Sequence, residues 1–250
     1  MKKIPTLFER IYENHKIVGI TDKITEGCEE AFKEGLATVK WDGSCCAIID
    51  GVFYKRYDAK NGKKPPEGAI PCQPEPDPVT GHWPHWVKVD PNNPADRWFV
   101  EAYNNTPCWE KKKAENGTVT FEAIGKHFQG NPYGMESDVM RRHGIDAVPV
   151  RRTFNDVKRF LDESEIEGIV FWLNGEPVCK IKRTDFGFEW PPKEEKYTPE
   201  RFKEMMTEIA MSDDTELRHY RADKLMAAVL NQLGYSEGIK IFEEMGKWYS

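Results

Sequence analysis

The 250-residue chain has no stretch approaching the roughly 20 consecutive apolar residues that cross a bilayer, so no membrane partner is expected. Its opening, MKKIPTLFERIYENH, carries charges where a secretory leader has its apolar run, and the reading is of a soluble protein working in the cytoplasm. Positive charge is not in surplus: 36 Lys and Arg stand against 42 Asp and Glu, a net charge of −6. An anionic ligand therefore has to be met by local basic clusters, because the field of the whole molecule opposes it. No Cys-x-x-Cys occurs among the cysteines at 28, 45, 46, 72, 108 and 179, which excludes a zinc ribbon or a dithiol redox motif. Cys72, His82, His85 and Cys108 make a conceivable zinc set, but their spacing fits no metal motif, and loop histidines with buried thiols account for them. No internal repeat is visible. What the chain does have is 39% apolar and 12% aromatic residues, enough for a folded core and too much for a disordered segment.

The first thirty-five residues read as helical or irregular, with CEEAFKEG suggesting a short helix stopped at Gly35. LATVKWDGSCCAIIDGVFYKRYD then contains β-rich runs broken at Asp42-Gly43 and Asp50-Gly51: a strand, a bend and a hairpin. Residues 60–97 hold most of the prolines and no hydrophobic period, so they predict a long surface excursion with a short strand at WVKV. GTVTFEAIG returns as a strand. NDVKRFLDESEIEG predicts an amphipathic helix from Phe154 or Val157 to Leu161, and IVFWLNGEPVCKIKR a second hairpin about Asn174-Gly175. Beyond Pro191-Pro192 come three helix-forming stretches, TPERFKEMMTEIAM, DDTELRHYRADKLMAAVLNQLG and SEGIKIFEEMGKWY. Two domains follow, a mixed core over 1–190 and a helical subdomain over 191–250.

A two-residue turn at Asn174-Gly175 predicts cross-strand partners whose numbers sum to 349, so that Glu167 faces Lys182 and Ile169 faces Lys180. Opposed side chains share a face, which gathers Glu167, Lys180 and Lys182, with Ile169 and Phe171 beside them to exclude water. An isolated set of this kind is ordinarily a surface ion pair of small energetic weight; alternatively it is an anion site, two lysines on phosphoryl oxygens and a carboxylate on a divalent metal. In the first hairpin the partners sum to 101, which sets Arg56 opposite Cys45 near the Asp42-Gly43 bend. Lys40 ends the preceding strand. It is either a snorkelling edge residue or, in a dry pocket among other cations, an amine nucleophile. Glu122 alternates with Phe121 and Ala123 as a strand carboxylate, and KHFQGNPYG after it is a turn-rich loop.

In order along the chain, KWDG at Lys40–Gly43, Arg56, FEAIG around Glu122, EGIV from Glu167 and KIK at Lys180–Lys182 resemble the ordered motifs of the covalent nucleotidyltransferases, the ATP-dependent RNA and DNA ligases and messenger-RNA capping enzymes. KWDGSCC with IGKHFQGNPYG is most similar to the small 5′-to-3′ RNA ligases. The resemblance covers about residues 36–190. It implies an α+β fold with an antiparallel-sheet nucleotidyltransferase core, of the ATP-grasp-like ligase adenylation kind, followed here by helices and not by an oligonucleotide-binding barrel.

The resemblance also implies roles. Lys40 would attack the α-phosphorus of ATP and become lysyl-AMP, with Asp42 and Gly43 shaping the loop at the nucleotide. Arg56 would contact the ribose or the α-phosphate, and Glu122 the ribose hydroxyls or a metal-bound water. Glu167 would hold Mg2+, or Mn2+ in its place, directly or through water, while Lys180 and Lys182 steady the AMP phosphate. The expected partner is RNA bearing 5′-phosphate and 3′-hydroxyl ends, with end-healing enzymes alongside and the ligase itself a monomer. Lys111–Lys113, Arg141-Arg142, Arg151-Arg152 and Lys180–Arg183 are the local basic clusters, and Trp83 and Trp86 are candidate stacking platforms. The base-stacking aromatic is not distinguishable among Phe128, Tyr133 and His143. The competing readings are a DNA ligase, a GTP-using capping enzyme, or a non-catalytic nucleic-acid-binding relative.

Overall fold

The computed structural model describes residues 3–14, 16–60, 62–78, 80–112, 117–192, 197–211 and 215–245. It divides into two units, Met1–Pro192 and Lys193–Ser250. Lys113 of the basic run, Asp213 and Asp214 ahead of the second C-terminal helix, and the 246–249 end of the third lie outside the described residues.

The first unit opens with an antiparallel hairpin, β1 (Phe8–Glu13) and β2 (Lys16–Ile24), where the sequence predicts helix or irregular chain. The correction has a local cause. Asn14 enters the turn at φ 48° without a flanking glycine, and register shifts after Phe8 and after Ile11 erase the clean two-residue alternation that marks a strand. The short helix α1 (Glu29–Glu34) ends at Gly35 as expected. β3 (Leu36–Lys40), β4 (Ser44–Ile49) and β5 (Val52–Ala59) follow. The proline-rich excursion holds β6 (Ile70–Pro71) and β7 (Trp83–Lys88), the latter starting three residues ahead of the predicted WVKV. Next come α2 (Arg97–Asn105) and α3 (Cys108–Lys112), which no sequence signal above announces, then β8 (Thr118–Ile124), β9 (Val139–Arg142), α4 (Phe154–Glu163), β10 (Gly168–Leu173) and β11 (Glu176–Lys182). Thr153 caps α4 by accepting the Asp156 N–H.

Beyond the β1–β2 hairpin, two antiparallel sheets organise this unit: β11-β10-β3 and β6-β7-β5-β4-β8-β9. Each turns one face to its own apolar layer. In the first, Ala37, Ile169, Phe171, Cys179 and Ile181 are buried against Phe32 of α1, Val157 and Leu161 of α4, and Phe8. In the second, Cys46, Ile48, Phe121 and Ala123 pack with Ala102 of α2, Phe128 and Met140. Because side chains alternate across a strand, burying these residues commits the polar ones between them to the opposite faces.

The first hairpin has the predicted register, with Cys46 opposite Lys55 and Ile49 opposite Val52 about a turn at Asp50 (φ 47°) and Gly51 (φ 77°). The second begins as predicted, Leu173 opposite Glu176, then slips by one residue after Trp172 opposite Pro177. From there the partners are Phe171 with Cys179, Val170 with Lys180 and Gly168 with Lys182. Pro177 is the physical reason: it has no N–H for the ladder, and a bulge is where a sheet tolerates that loss. The slip exchanges faces. Ile169 and Phe171 lie in the apolar core and not beside the lysines, whose face they yield to Gly168, Val170 and Trp172.

The second unit consists of α5 (Pro199–Ala210), α6 (Thr215–Gln232) and α7 (Ser236–Glu244). Thr198 caps α5 by accepting the Arg201 N–H, with Pro199 in the first turn. Among its described residues, Leu225, Ala227 and Ile239 are buried.

Candidate active site

The polar faces of the two larger sheets line one cleft. Thr38 and Lys40 of β3, Val170 and Trp172 of β10 and Lys180 of β11 border it from the first sheet, and Cys45, Arg56 and Glu122 from the second. Lys40 is opposite Gly168 on β10, and Gly168 is opposite Lys182 on β11, so this residue without a side chain separates the two lysines. A Cβ on Gly168 would lie 2.2 Å from the Ile181 carbonyl oxygen, which explains glycine here.

Glu167 stands one residue ahead of β10 and is 4% exposed. Lys182 Nζ reaches its Oε1 at 2.5 Å, and Lys40 Nζ is bound to its Oε2. The predicted grouping of Glu167 with the lysines is present, although the ladder pairing expected for it is not: the Glu167 carbonyl instead accepts the Arg183 N–H at 2.9 Å. Lys180 completes the cation cluster. Burial, then the nearby Lys40 and Lys182 ammoniums, push its pKa down to about 8 against the opposing pull of Glu167.

The KWDG bend is held from outside the motif. The Asp42 N–H donates to the Tyr133 hydroxyl at 2.6 Å, and Trp190 Nε1 donates to Asp42 Oδ2 at 2.8 Å. Trp41 Nε1 donates to Asp146 Oδ2 at 2.8 Å and meets the Tyr133 ring edge-on at 5.1 Å. Burial raises the Asp42 carboxyl above the usual range, with the Trp190 hydrogen bond working against it. Gly43 passes so near β8 that a Cβ would lie 2.2 Å from the Ala123 carbonyl oxygen. Tyr133, a stacking candidate within IGKHFQGNPYG, and Trp190, which no motif contains, are both positioning residues for the bend.

Cys45 pairs with Glu122 across β4 and β8. Glu122 Oε2 lies 3.0 Å from His143 Nε2, and His143 Nδ1 lies 3.0 Å from Thr120 Oγ1. Burial and Glu122 push the Cys45 thiol up to about 12. Arg56 donates through Nε to Asp58 at 2.9 Å while bordering the cleft. Thus Lys40, Arg56, Glu122 and Lys180 line one cavity, Glu167 is bound to Lys40 and Lys182 to Glu167, and Asp42 and Gly43 form the bend after Lys40.

Among the described residues, two groups have converging metal-ligand atoms: Cys45–Glu122–His143 and Glu101–His127–Asp138. Neither contains Cys72, His82, His85 or Cys108. In the second, Asp138 already accepts the His127 N–H at 3.0 Å and engages its Nδ1 at 2.7 Å, and the imidazole stacks on Trp98 at 3.4 Å. Several expected RNA contacts are occupied structurally. Trp86 is 5% exposed and cannot present a stacking face. Arg183 donates to the carbonyls of Leu161, Ser164 and Glu189, Arg152 to that of Gly35, and Lys111 to that of Tyr103. Arg142 instead lines a groove with Trp172 beside the cleft.

No protein-family model matches the chain. It is similar to a zebrafish (Danio rerio) protein named RNA ligase 1, 29% identical over 138 residues, 44% of this chain and 42% of that protein. It is similar also to an orangutan (Pongo abelii) protein of the same name, 24% identical over 226 residues, 62% of this chain and 68% of that one. The chain thus spans less than half of the zebrafish relative's length.

Proposed function

We propose that this protein is an ATP-dependent RNA ligase that joins RNA 5′-phosphate and 3′-hydroxyl ends through a lysyl-AMP intermediate. The observation that carries the reading is the convergence of Lys40 of β3, Lys180 and Lys182 of β11 and Glu167 just ahead of β10, with Lys40 and Lys180 lining the cleft; the similarity to two proteins named RNA ligase 1 supports the substrate class.

In the proposed first step the Lys40 ammonium gives a proton to the Glu167 oxygen it is bound to, and the freed amine attacks the α-phosphorus of ATP. A P–N bond forms, the bond to the bridging oxygen breaks, and pyrophosphate leaves, the remaining extra proton on nitrogen passing to the departing pyrophosphate or to solvent. Lys180 and Lys182 offset charge on the α-phosphoryl oxygens, and Arg56 meets the phosphate or the ribose, whose hydroxyls Glu122 accepts from. The RNA 5′-phosphate then takes the AMP from Lys40, and a 3′-hydroxyl displaces AMP to close the strand.

The carboxylates of Glu167 and Glu122 fit a hard, oxygen-seeking cation such as Mg2+. Both Glu167 oxygens are engaged by lysines, so Glu167 suits a metal-bound water better than direct coordination while those pairs last. Magnesium, when bound, neutralises triphosphate charge and orients the leaving pyrophosphate. The test is intact mass after mixing with ATP and Mg2+: one AMP added to the native chain, none to Lys40→Ala, and its transfer to 5′-phosphorylated RNA but not to a DNA nick. Absence of the adduct in the native chain overturns the reading.

A further inference from the structure

We propose that Cys45, Glu122 and His143 form a binding site for a thiophilic divalent metal, zinc above all, on the wall of the cleft, and that filling it excludes the nucleotide. The first part stands on the residues alone. The second rests on the reading of the cleft given above.

Three elements build the tripod. Cys45 and Glu122 are direct partners across β4 and β8, so both side chains leave the same face of the sheet. His143 follows β9, and its N–H bonds to the Thr120 carbonyl at 3.1 Å, which fixes the imidazole over that face. The sulfur, a carboxylate oxygen and a ring nitrogen all lie within 4.8 Å of one another, and Glu122 Oε2 and His143 Nε2 are already 3.0 Å apart. A tetrahedral zinc with bonds of about 2.0–2.3 Å sets its ligands roughly 3.3–3.8 Å apart, so side-chain movements of about an ångström close the site.

The donor set discriminates between metals. One sulfur, one imidazole and one carboxylate, with a fourth position open to the cleft, suit zinc; magnesium prefers oxygen alone. On binding, the Cys45 thiol proton passes to solvent and a zinc–sulfur bond replaces the S–H bond. Binding Zn2+ and releasing one proton raises the charge of the site by one, from that of the lone Glu122 carboxylate to neutral, so no positive excess is placed next to Arg56, which borders the same cavity. His143 also has its outer partner. The Thr120 hydroxyl oxygen, 3.0 Å from Nδ1, can accept a hydrogen bond from Nδ1–H and leave Nε2 free for metal. In exchange Glu122 is withdrawn from any ribose contact, and the metal's fourth ligand projects into the nucleotide space.

Cobalt(II) is the probe, since a thiolate ligand gives it a near-ultraviolet charge-transfer band. Titration of the metal-stripped full chain is expected to saturate at one cobalt with that band, and zinc to bleach it. Cys45→Ser removes the band and weakens cobalt binding more than about tenfold, His143→Ala weakens it comparably, and Cys72→Ser changes neither. Circular dichroism matched to the native chain establishes folding of each variant. A band that survives in Cys45→Ser, or none in the native chain, overturns the site. For the second part, zinc raises the apparent KM for ATP in lysyl-AMP formation by the native chain and not by Cys45→Ser; equal sensitivity of both overturns exclusion through this site. If the native chain forms no lysyl-AMP, the ligase reading and the exclusion both fall, and the cobalt band still decides the metal site.

Discussion

The Lys40 ammonium and the Glu167 carboxylate, 127 residues apart in the chain, form a direct ion pair in which Glu167 is almost fully buried. A buried charge that loses all its partners is costly, about 3–5 kcal/mol, whereas one that keeps a partner is not. Lys182 holds the other oxygen of Glu167, so the two ends of the pair are not equivalent. Glu167→Gln removes the carboxylate that bridges Lys40 and Lys182 and leaves both ammoniums repelling each other and Lys180, and it is expected to be the more destabilising change. Lys40→Met leaves Lys182 on Glu167 and costs clearly less. Denaturant unfolding of the two variants decides the order, and the reverse order would mean that Lys182 does not hold Glu167. Both variants fail to form the AMP adduct at native rate: Lys40→Met forms none, and Glu167→Gln is slowed about a hundredfold or more.

Gly43 and Gly168 flank the same lysine cluster from two directions, and each is glycine because another strand's carbonyl passes too close for a Cβ. The contact would be 2.2 Å in both cases. Alanine at either position therefore forces strand separation, with an expected loss of about 1–3 kcal/mol. Gly175→Ala, where nothing lies within 4 Å but φ is 80°, is the comparison for strain without crowding. Thermal melts of the three variants test this, together with adduct formation. The first two are expected to lose adduct formation more than stability alone explains, since each moves Lys40 or Glu167, while Gly175→Ala keeps the native rate once folded.

Local rules made the two type I′ hairpin turns and the C-terminal helices readable, since Asp50-Gly51, Asn174-Gly175 and Thr198-Pro199 announce themselves in sequence. The motif lysines and Glu167 could be grouped because a turn fixes a register for several residues. The grouping survived the bulge at Pro177 only because Glu167 precedes the strand and stands outside its alternation; Ile169 and Phe171 did not, and they changed faces. Pro177 was itself the signal for the slip. Tyr133 and His143 stand among the base-stacking candidates, but their contacts, and Trp190 altogether, were beyond reach for a different reason. Their contacts with Asp42 and Glu122 are set by how loops fold back over the sheets, and no periodicity connects residues 91 or 148 positions apart. The β1–β2 hairpin escaped because its turn lacks glycine and its register shifts twice.

Tyr133 and Trp190 grip Asp42 through different atoms, backbone and carboxylate, so their removal has separable effects. Tyr133→Phe leaves the half-buried Asp42 N–H without its acceptor, a loss of about 0.5–1.5 kcal/mol. It also loosens the bend that carries Lys40, so the rate of adduct formation falls while the KM for ATP changes little. Trp190→Phe removes the donor that holds the Asp42 carboxyl down, so its pKa rises further above the ordinary carboxylate range. Carboxyl titration by NMR detects that rise, and no change would mean that the indole N–H does not meet Asp42 in solution.

Lys180 gives the cleft a pH dependence whose sign is fixed. Its folded pKa, about 8, lies below the ordinary lysine value of 10.5, chiefly through burial and then through Lys40 and Lys182. Between those two values the unfolded chain binds more protons than the folded one, so this residue makes stability rise as pH increases from about 8 towards 10.5, with its full penalty present below that window. Lys180→Met removes the penalty and flattens that part of the stability curve. Nucleotide binding works in the opposite direction: a phosphate beside Lys180 favours the ammonium, so binding at a pH above 8 takes up a proton. Calorimetry of a non-hydrolysable ATP analogue in two buffers of different ionisation enthalpy measures that uptake. The native chain is expected to show it, and Lys180→Met to lose it along with part of its affinity. Equal proton uptake in both proteins would place the phosphate away from Lys180.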